Sequence, residues 1–419
     1  MKYQKKIAVV SGLFTMLLST HSAMVHAGDA TKGKEKSALC AGCHGADGIG
    51  LSGEFPNLAG QKKTYLITQL KAFKNRKRTN PTMNAMVAGL SDSDFDNLAT
   101  YYSSLQTAAV APSGNKTGMA TSKATKAEFP ESVFITMKKS GTVEAFPAEK
   151  IWQGGPNMLY NAVTPDGKIM LSTSPSSSSV YAFDAKTGEK IAVIAVGKAP
   201  KGVKIAPNGK YAYVSNEGSA EISVIDLKGM KVIDTIKVEK APHNVRFTKN
   251  GKLAYVTLQG GAGIGVIDTG KRKQVKVIPV PGITGPHNMD LSSDEKVAYV
   301  RDFVHHVAVL DLGTGKVTKV IKVGNGHGGI DVAPNGRFVA TAAIGDNIIS
   351  VINTRDLSVK NIEVGNGPHG IRASKDSRWI YVTITKDNVV AVINADTMKV
   401  EKKIAVDKFP FWVAVQGNP

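Results

Sequence analysis

Only two cysteines occur in 419 residues, which excludes a disulfide-built scaffold and leaves no second thiol pair for a structural zinc. No apolar run reaches the ~20 residues that span a bilayer. Acidic residues are scarce: 34 Asp and Glu stand against 53 Lys and Arg, a formal charge of +19. That imbalance points to acidic partners or anionic surfaces. Nucleic acid is excluded as the partner, because no basic helix and no alternation of basic and aromatic residues is present. What is abundant is glycine, at 42 residues, within an ordinary globular composition of 42% hydrophobic and 21% charged residues. The length calls for more than one domain.

The first 27 residues read as an export signal. Lys2, Lys5 and Lys6 make a positive start, and Ile7 to Leu18 is a short apolar run. Val25-His26-Ala27 then places small residues where a signal peptidase cuts. The run is too short for an anchor, so residues 1–27 are expected to be removed and the rest to be periplasmic.

Both cysteines fall in Cys40-Ala41-Gly42-Cys43-His44. This is the spacing of covalent c-type haem attachment. Thiols one helical turn apart reach the two porphyrin vinyl groups, and the adjacent imidazole lies under the iron as an axial ligand. A thioredoxin-like motif would need a βαβ context that the flanks lack. Instead, Thr31 to Leu39 reads as a lysine-rich amphipathic helix. Ser91 and Asp94 form a capping box opening a second helix, with Phe95, Leu98, Tyr101, Tyr102 and Leu105 at helical spacing.

Through CAGCHG, FPNLAGQ and the run from RTNPTMNAM to GLSDSDFDNLATYYSSL, residues 28–107 resemble a class I cytochrome c, a small all-α electron carrier. The resemblance implies one covalent haem c on Cys40 and Cys43, with His44 and a methionine sulfur on the iron. Met83, in a loop behind Asn80-Pro81-Thr82, fits the family pattern best, and Met86 is the alternative. Pro56 is expected to shape the loop that carries haem contacts, or else to be a plain turn proline. Redox partner proteins are implied too. The basic run Lys71 to Arg78 is either their docking face or a solvated surface.

Residues 108–128 are rich in Ala, Ser, Thr, Gly and Lys and read as a flexible linker. From Phe129 the pattern changes to short β runs punctuated by Gly, Pro, Asn and Asp. Five stretches are self-similar: VKIAPNGKYAYVSN, VRFTKNGKLAYVTL, MDLSSDEKVAYVRD, IDVAPNGRFVATAA and IRASKDSRWIYVTI. One residue per unit recurs, at Asn157, Lys201, His243, His287, His327, His369 and Phe411. A period of about 40–45 residues with four strands marks a β-propeller blade. Residues 129–419 are therefore read as an all-β seven-bladed propeller. The last blade lacks three strands, which Ser132 to Met137, Thr142 to Phe146 and Lys150 to Trp152 supply, closing the ring without open edges. The chain is multidomain, a small all-α domain followed by this propeller.

Four histidines, His243, His287, His327 and His369, share one slot in four consecutive blades. The slot starts the innermost strand, so the side chains crowd the mouth of the central channel. There they could hold a metal, a second cofactor or an anion. The bland alternative is duplication of a residue that suits the bend. His305 and His306 fall in a loop of the fourth blade and read as surface residues.

The blades resemble the YVTN-type propeller repeat and, distantly, the propeller of cytochrome cd1 nitrite reductase. That enzyme is an exported c-haem domain followed by an eight-bladed propeller holding haem d1. The resemblance implies His243 as a ligand to the second cofactor, and His327 and His369 as catalytic residues on the substrate side. His287 joins His243 by position. Three function classes follow. One is an oxidoreductase of the nitrite-reducing kind, with haem d1 or a metal ion in the mouth and a small or anionic substrate. The second is a non-catalytic carrier whose propeller docks a partner, and the third is a copper-binding propeller.

Overall fold

The computed structural model describes residues 28–50, 55–105, 125–261 and 263–418. The expected signal (1–27) and most of the expected linker (106–124) lie outside the described residues.

Four helices form the first domain: α1 (Ala30–His44), α2 (Lys63–Lys74), α3 (Pro81–Val87) and α4 (Asp92–Ser104). The Asp29 side chain caps α1 by accepting from Thr31 and Lys32 N–H, and Gly45, at φ 80°, ends it. This helix runs five residues past the expected end at Leu39 and carries the whole cysteine motif. Ser91 and Asp94 form the reciprocal capping box of α4. Its apolar stripe, Phe95, Leu98, Ala99, Tyr101 and Tyr102, is buried with Leu66, Phe73, Val87 and Leu90. The segment expected to be a loop around Met83 is helical. Asn80 accepts from Met83 N–H, and Pro81 takes the first-turn position, where its missing N–H costs nothing.

The second domain is seven four-stranded antiparallel sheets arranged as propeller blades. Pro410–Val415 is the innermost strand of the closing blade, and Val133–Met137, Thr142–Phe146 and Lys150–Gln153 complete it. The two ends of the domain thus clasp each other through Phe134↔Ala414 and Ile135↔Val413. Inner strands are buried along their whole length, as in Pro368–Ala373, whereas outer strands such as Lys231–Lys237 alternate toward solvent. Tight turns between the first and second strands need a left-handed residue, supplied by Gly209, Gly251 and Gly336 of the Asn-Gly pairs. The domain's first contacts come earlier than Phe129. Glu128 pairs with Lys402 at 2.7 Å, and the Tyr381 hydroxyl donates to the Glu128 carbonyl. Phe129 itself stacks between Phe146 and Tyr381.

Candidate functional site

Cys40 and Cys43 lie on one face of α1 and border a cavity of about 660 Å³. Burial pushes the Cys40 thiol up to about 11 and, with the nearby Cys40 charge, the Cys43 thiol to about 12. His44 donates Nδ1–H to the Pro56 carbonyl at 2.8 Å, which leaves Nε2 as the ring's free lone pair. Pro56 therefore orients the ring through its backbone oxygen. Met83 and Met86 both border the cavity from α3, three residues apart and so on one helix face. These side chains fit a covalent haem c: two thiols, an oriented imidazole and a thioether donor around a cavity of cofactor size.

The same cavity reaches the propeller. His243, His287, His327, Tyr160, Phe303, Phe411 and Lys201 line it together with the cysteines. The haem-attachment helix sits directly on the propeller mouth at Gly42. A Cβ there would come within 3.2 Å of Gly326 Cα and of the Phe303 carbonyl oxygen, and 3.4 Å of His327 N. Glycine permits this approach. Charges from Lys201, Glu217 and Lys138 act on Cys43 across the boundary.

The four histidines do converge. Consecutive ring centroids are 4.0 Å (His243–His287), 4.8 Å (His287–His327) and 5.2 Å (His327–His369) apart. Phe411 follows His369 at 4.1 Å, then Tyr160 at 5.6 Å, and Tyr160 meets His243 at 5.1 Å. The rings close into a collar of six aromatic groups. Lys201, from the second blade's slot, points away from the collar and pairs with Glu217 at 3.6 Å. Leu159 rather than Asn157 occupies the first blade's slot, which corrects the sequence alignment by two residues. Its carbonyl accepts from the Thr136 hydroxyl, as the His243 and His287 carbonyls accept from Ser215 and Thr257. Tyr160, the next residue, supplies the ring that completes the collar. Asn157 instead sits in a turn at φ 55°.

His243 donates Nδ1–H to the His287 carbonyl at 3.1 Å, so its Nε2 accepts from the Tyr160 hydroxyl at 3.0 Å. His369 likewise donates Nδ1–H to the Phe411 carbonyl at 3.1 Å. Among the described residues, both nitrogens of His287, Nδ1 of His327 and Nε2 of His369 have no hydrogen-bond partner. Burial holds His243, His287 and His327 well below the usual histidine range, and His369 at about 3. The collar is therefore uncharged at neutral pH.

Two sequence expectations change here. Among the described residues, no group of three or more His, Cys, Asp or Glu side chains is arranged to hold a metal ion. His287, His327 and His369 meet edge to face, His243 and His287 are tilted by 34°, and backbone carbonyls hold Nδ1 of His243 and His369, so a converging set of lone pairs is not formed. His327 and His369 are not brought to the cavity as a pair either: His327 lines it, but His369 lies sealed in the collar. His305 and His306 are half-buried rather than surface residues, with His306 Nδ1 3.0 Å from Asp302 Oδ2.

Sequence reasoning missed Tyr160, Phe303 and Arg301. Arg301 is fully buried and donates Nη2–H to the carbonyls of Gly324 and Gly326, fixing the loop that presents His327. Its YVRD context, where other blades have YVSN or YVTL, was the available signal.

Comparison with known proteins matches the cytochrome c family over residues 30–106 and a YNCE-like β-propeller over residues 153–293. Cytochrome c-554(548) of Halomonas halodenitrificans is 46% identical over 81 residues, 19% of this chain and 98% of that protein. Cytochrome c4 of Pseudomonas aeruginosa is 42% identical over 97 residues, 23% of this chain and 47% of that protein, so only about half of it is spanned. Among solved structures, Kuenenia stuttgartiensis hydrazine synthase superposes with a TM-score of 0.57 at 21% identity, covering 62% of this chain and 90% of that one. A Desulfotomaculum acetoxidans protein of unknown function gives 0.58 at 14%, covering 69% and 100%. These two likenesses show the propeller fold alone.

Proposed function

Because the chain belongs to the cytochrome c family through residues 30–106, we propose that it is an exported electron carrier whose propeller mouth and haem-attachment face enclose one chamber for a small anion. The observation that carries this reading is that the motif cysteines and three collar histidines line the same cavity. Cys40 and Cys43 would hold haem c through thioether bonds, with His44 Nε2 and the Met83 sulfur on the iron and Met86 as alternative. Bound haem c supplies one-electron oxidation and reduction.

The propeller's part is to position and to exclude. The aromatic collar closes the chamber floor, and the packing at Gly42 closes its side. His287 and His327 keep ring nitrogens unpartnered, as hydrogen-bond donors or acceptors for a bound molecule. Positive charge on Lys138 and Arg301 acts on His327, which favours a singly charged anion over a cation. One-electron reduction of nitrite to nitric oxide consumes two protons and releases water. The electron would come from the haem and the protons from solvent, with the uncharged histidines holding the ligand by hydrogen bonds. Nitrite-like substrates fit this description, whereas a second haem does not, since the collar rings already touch. Export through residues 1–27 agrees with covalent haem attachment, and no described helix is long and apolar enough to cross a membrane. A basic carrier of this kind suits acidic redox partners.

The test mixes the reduced holoprotein with nitrite and, separately, with ferricyanide as an outer-sphere control, following haem absorbance. Nitrite should reoxidise the wild type, and the double variant His287→Phe/His327→Phe should slow this at least about tenfold with the ferricyanide rate unchanged. Equal nitrite rates in the two proteins, or no reaction in either, would reduce the propeller to an inert cap.

A further inference from the structure

One turn of the inner strands below the collar, the channel carries a second ring of side chains. Lys204, Arg246, Asp290, Asp331 and Arg372 come from five consecutive blades, three residues after the collar position in each except Asp331, which is four after. At ~3.3 Å per residue this ring lies about 10 Å beneath the histidines. All five side chains are buried, none more than 9% exposed.

Their pairing is uneven. Arg246 Nε donates to Asp290 Oδ1 at 2.7 Å, and Val332 N–H donates to Asp290 Oδ2 at 3.0 Å. Arg372 Nη1 donates to Asp331 Oδ1 and lies 3.9 Å from Asp290 Oδ2. Asp331 Oδ2 accepts from Ala373 N–H at 2.7 Å and from Asn418 Nδ2 at 2.9 Å. Both carboxylates are thereby committed to guanidiniums and amides. Lys204 has no carboxylate within 4 Å among the described residues, although it feels both Asp290 and Asp331 and both arginines. With Lys204 protonated the ring holds three cations and two anions. Burial first, then Arg246 and Arg372, push the Lys204 ammonium well below the usual lysine range, so its charge needs a counter-ion to persist.

The remaining two blades leave a gap in this ring. Their equivalent positions are Ala162 and Ala414, too small to fill it. A cavity of about 20 Å³ lies there, bordered by Lys204, Arg372, Val163, Ala414, Asn161 and Asn418. That volume suits one water-sized occupant. A buried ammonium beside two guanidiniums is costly unless it loses its proton or gains a counter-charge. Water would leave the charge uncompensated, whereas a monatomic anion balances the ring in the space available.

We propose that this cavity is a binding site for a single chloride-sized anion, held between Lys204 and Arg372 on the propeller axis. The site is separate from the chamber above it and does not depend on what that chamber binds. Its function is to complete the charge of the ring that ties blades two to six together.

The test uses the full haem-loaded chain. Crystals soaked in sodium bromide should give an anomalous peak in contact with Lys204 Nζ. In solution, the propeller's unfolding midpoint should be about 3 °C higher in sodium chloride than in sodium gluconate at equal ionic strength, gluconate being too large for the cavity. Lys204→Met, which removes the charge with a neutral side chain of similar length, should abolish that difference. If Lys204→Met does not fold, Lys204→Gln takes its place. Absence of the bromide peak, or an equal chloride effect in the variant, overturns the proposal.

Discussion

The uncharged collar makes acid stability the sharpest test of the structure. Each of its histidines has a folded pKa depressed by burial, so the unfolded chain binds more protons below the ordinary histidine value. Stability is therefore complete above about pH 6.5 and is lost as the pH falls toward the folded values, about 3 for His369. A buried histidine that stays neutral throughout, as His369 at about 3 does, costs about 2 kcal/mol between pH 7 and pH 5. His287 is the position at which to isolate such a cost. Neither ring nitrogen has a partner, and the ring lies 4.0 Å from His243 and 4.3 Å from Phe303. Phenylalanine there removes the titration without removing a hydrogen bond. Any overpacking, about 1 kcal/mol or more, is the same at both pH values and cancels. Denaturant unfolding followed by tryptophan fluorescence at pH 7 and pH 5 should show His287→Phe losing about 2 kcal/mol less than wild type. An equal loss in both proteins would mean that His287 is not held neutral, and the closed collar would be wrong.

Two further outcomes follow from the same geometry. Met83→Ala in the oxidised holoprotein should abolish the weak near-infrared sulfur-to-iron band while Met86→Ala keeps it, and the reverse pattern would assign Met86. Arg301→Met should lower thermal stability by about 2–3 kcal/mol, because the Gly324 and Gly326 carbonyls lose their buried donor; a change under about 0.5 kcal/mol would show that the loop holds its shape without it.

Much of this was legible because local chemistry wrote it. The cysteine spacing placed both thiols on one helix face, and Ser91 with Asp94 started α4 where the capping box predicts. The repeat period gave the blade count, and the three surplus strands at Ser132 to Trp152 implied the clasp that Pro410–Val415 makes. The first blade's register is misread because Pro156-Asn157 imitates the Pro that precedes the slot in other blades, whereas Asn157 lies in a turn at φ 55°. Aligning Thr-Pro-Asp-Gly at 164–167 with Thr-Lys-Asn-Gly at 248–251 puts Leu159 opposite His243 and Tyr160 opposite Asn244. The helix at Pro81–Val87 was missed for a different reason. Seven residues give little periodicity, and the Asn80 cap and Pro81 read equally well as a turn.

The union of the two domains left only one mark in the sequence, and it is informative. The two residues between the cysteines are not needed to hold the porphyrin, so any side chain compatible with a helix would serve there. Glycine is a poor choice for the interior of α1, costing about 1 kcal/mol against alanine. At Gly42 that cost is offset by contact: the helix backbone comes against Gly326 and Phe303, and Gly326 is itself at φ 82° in the loop bearing His327. Two glycines from different domains thus meet where the haem-attachment face and the histidine collar adjoin. A side chain at either would hold the two surfaces apart and open the chamber's wall to solvent. The docking is built into the backbone, and so the shared cavity, rather than either domain alone, is the unit on which the proposed chemistry has to be tested.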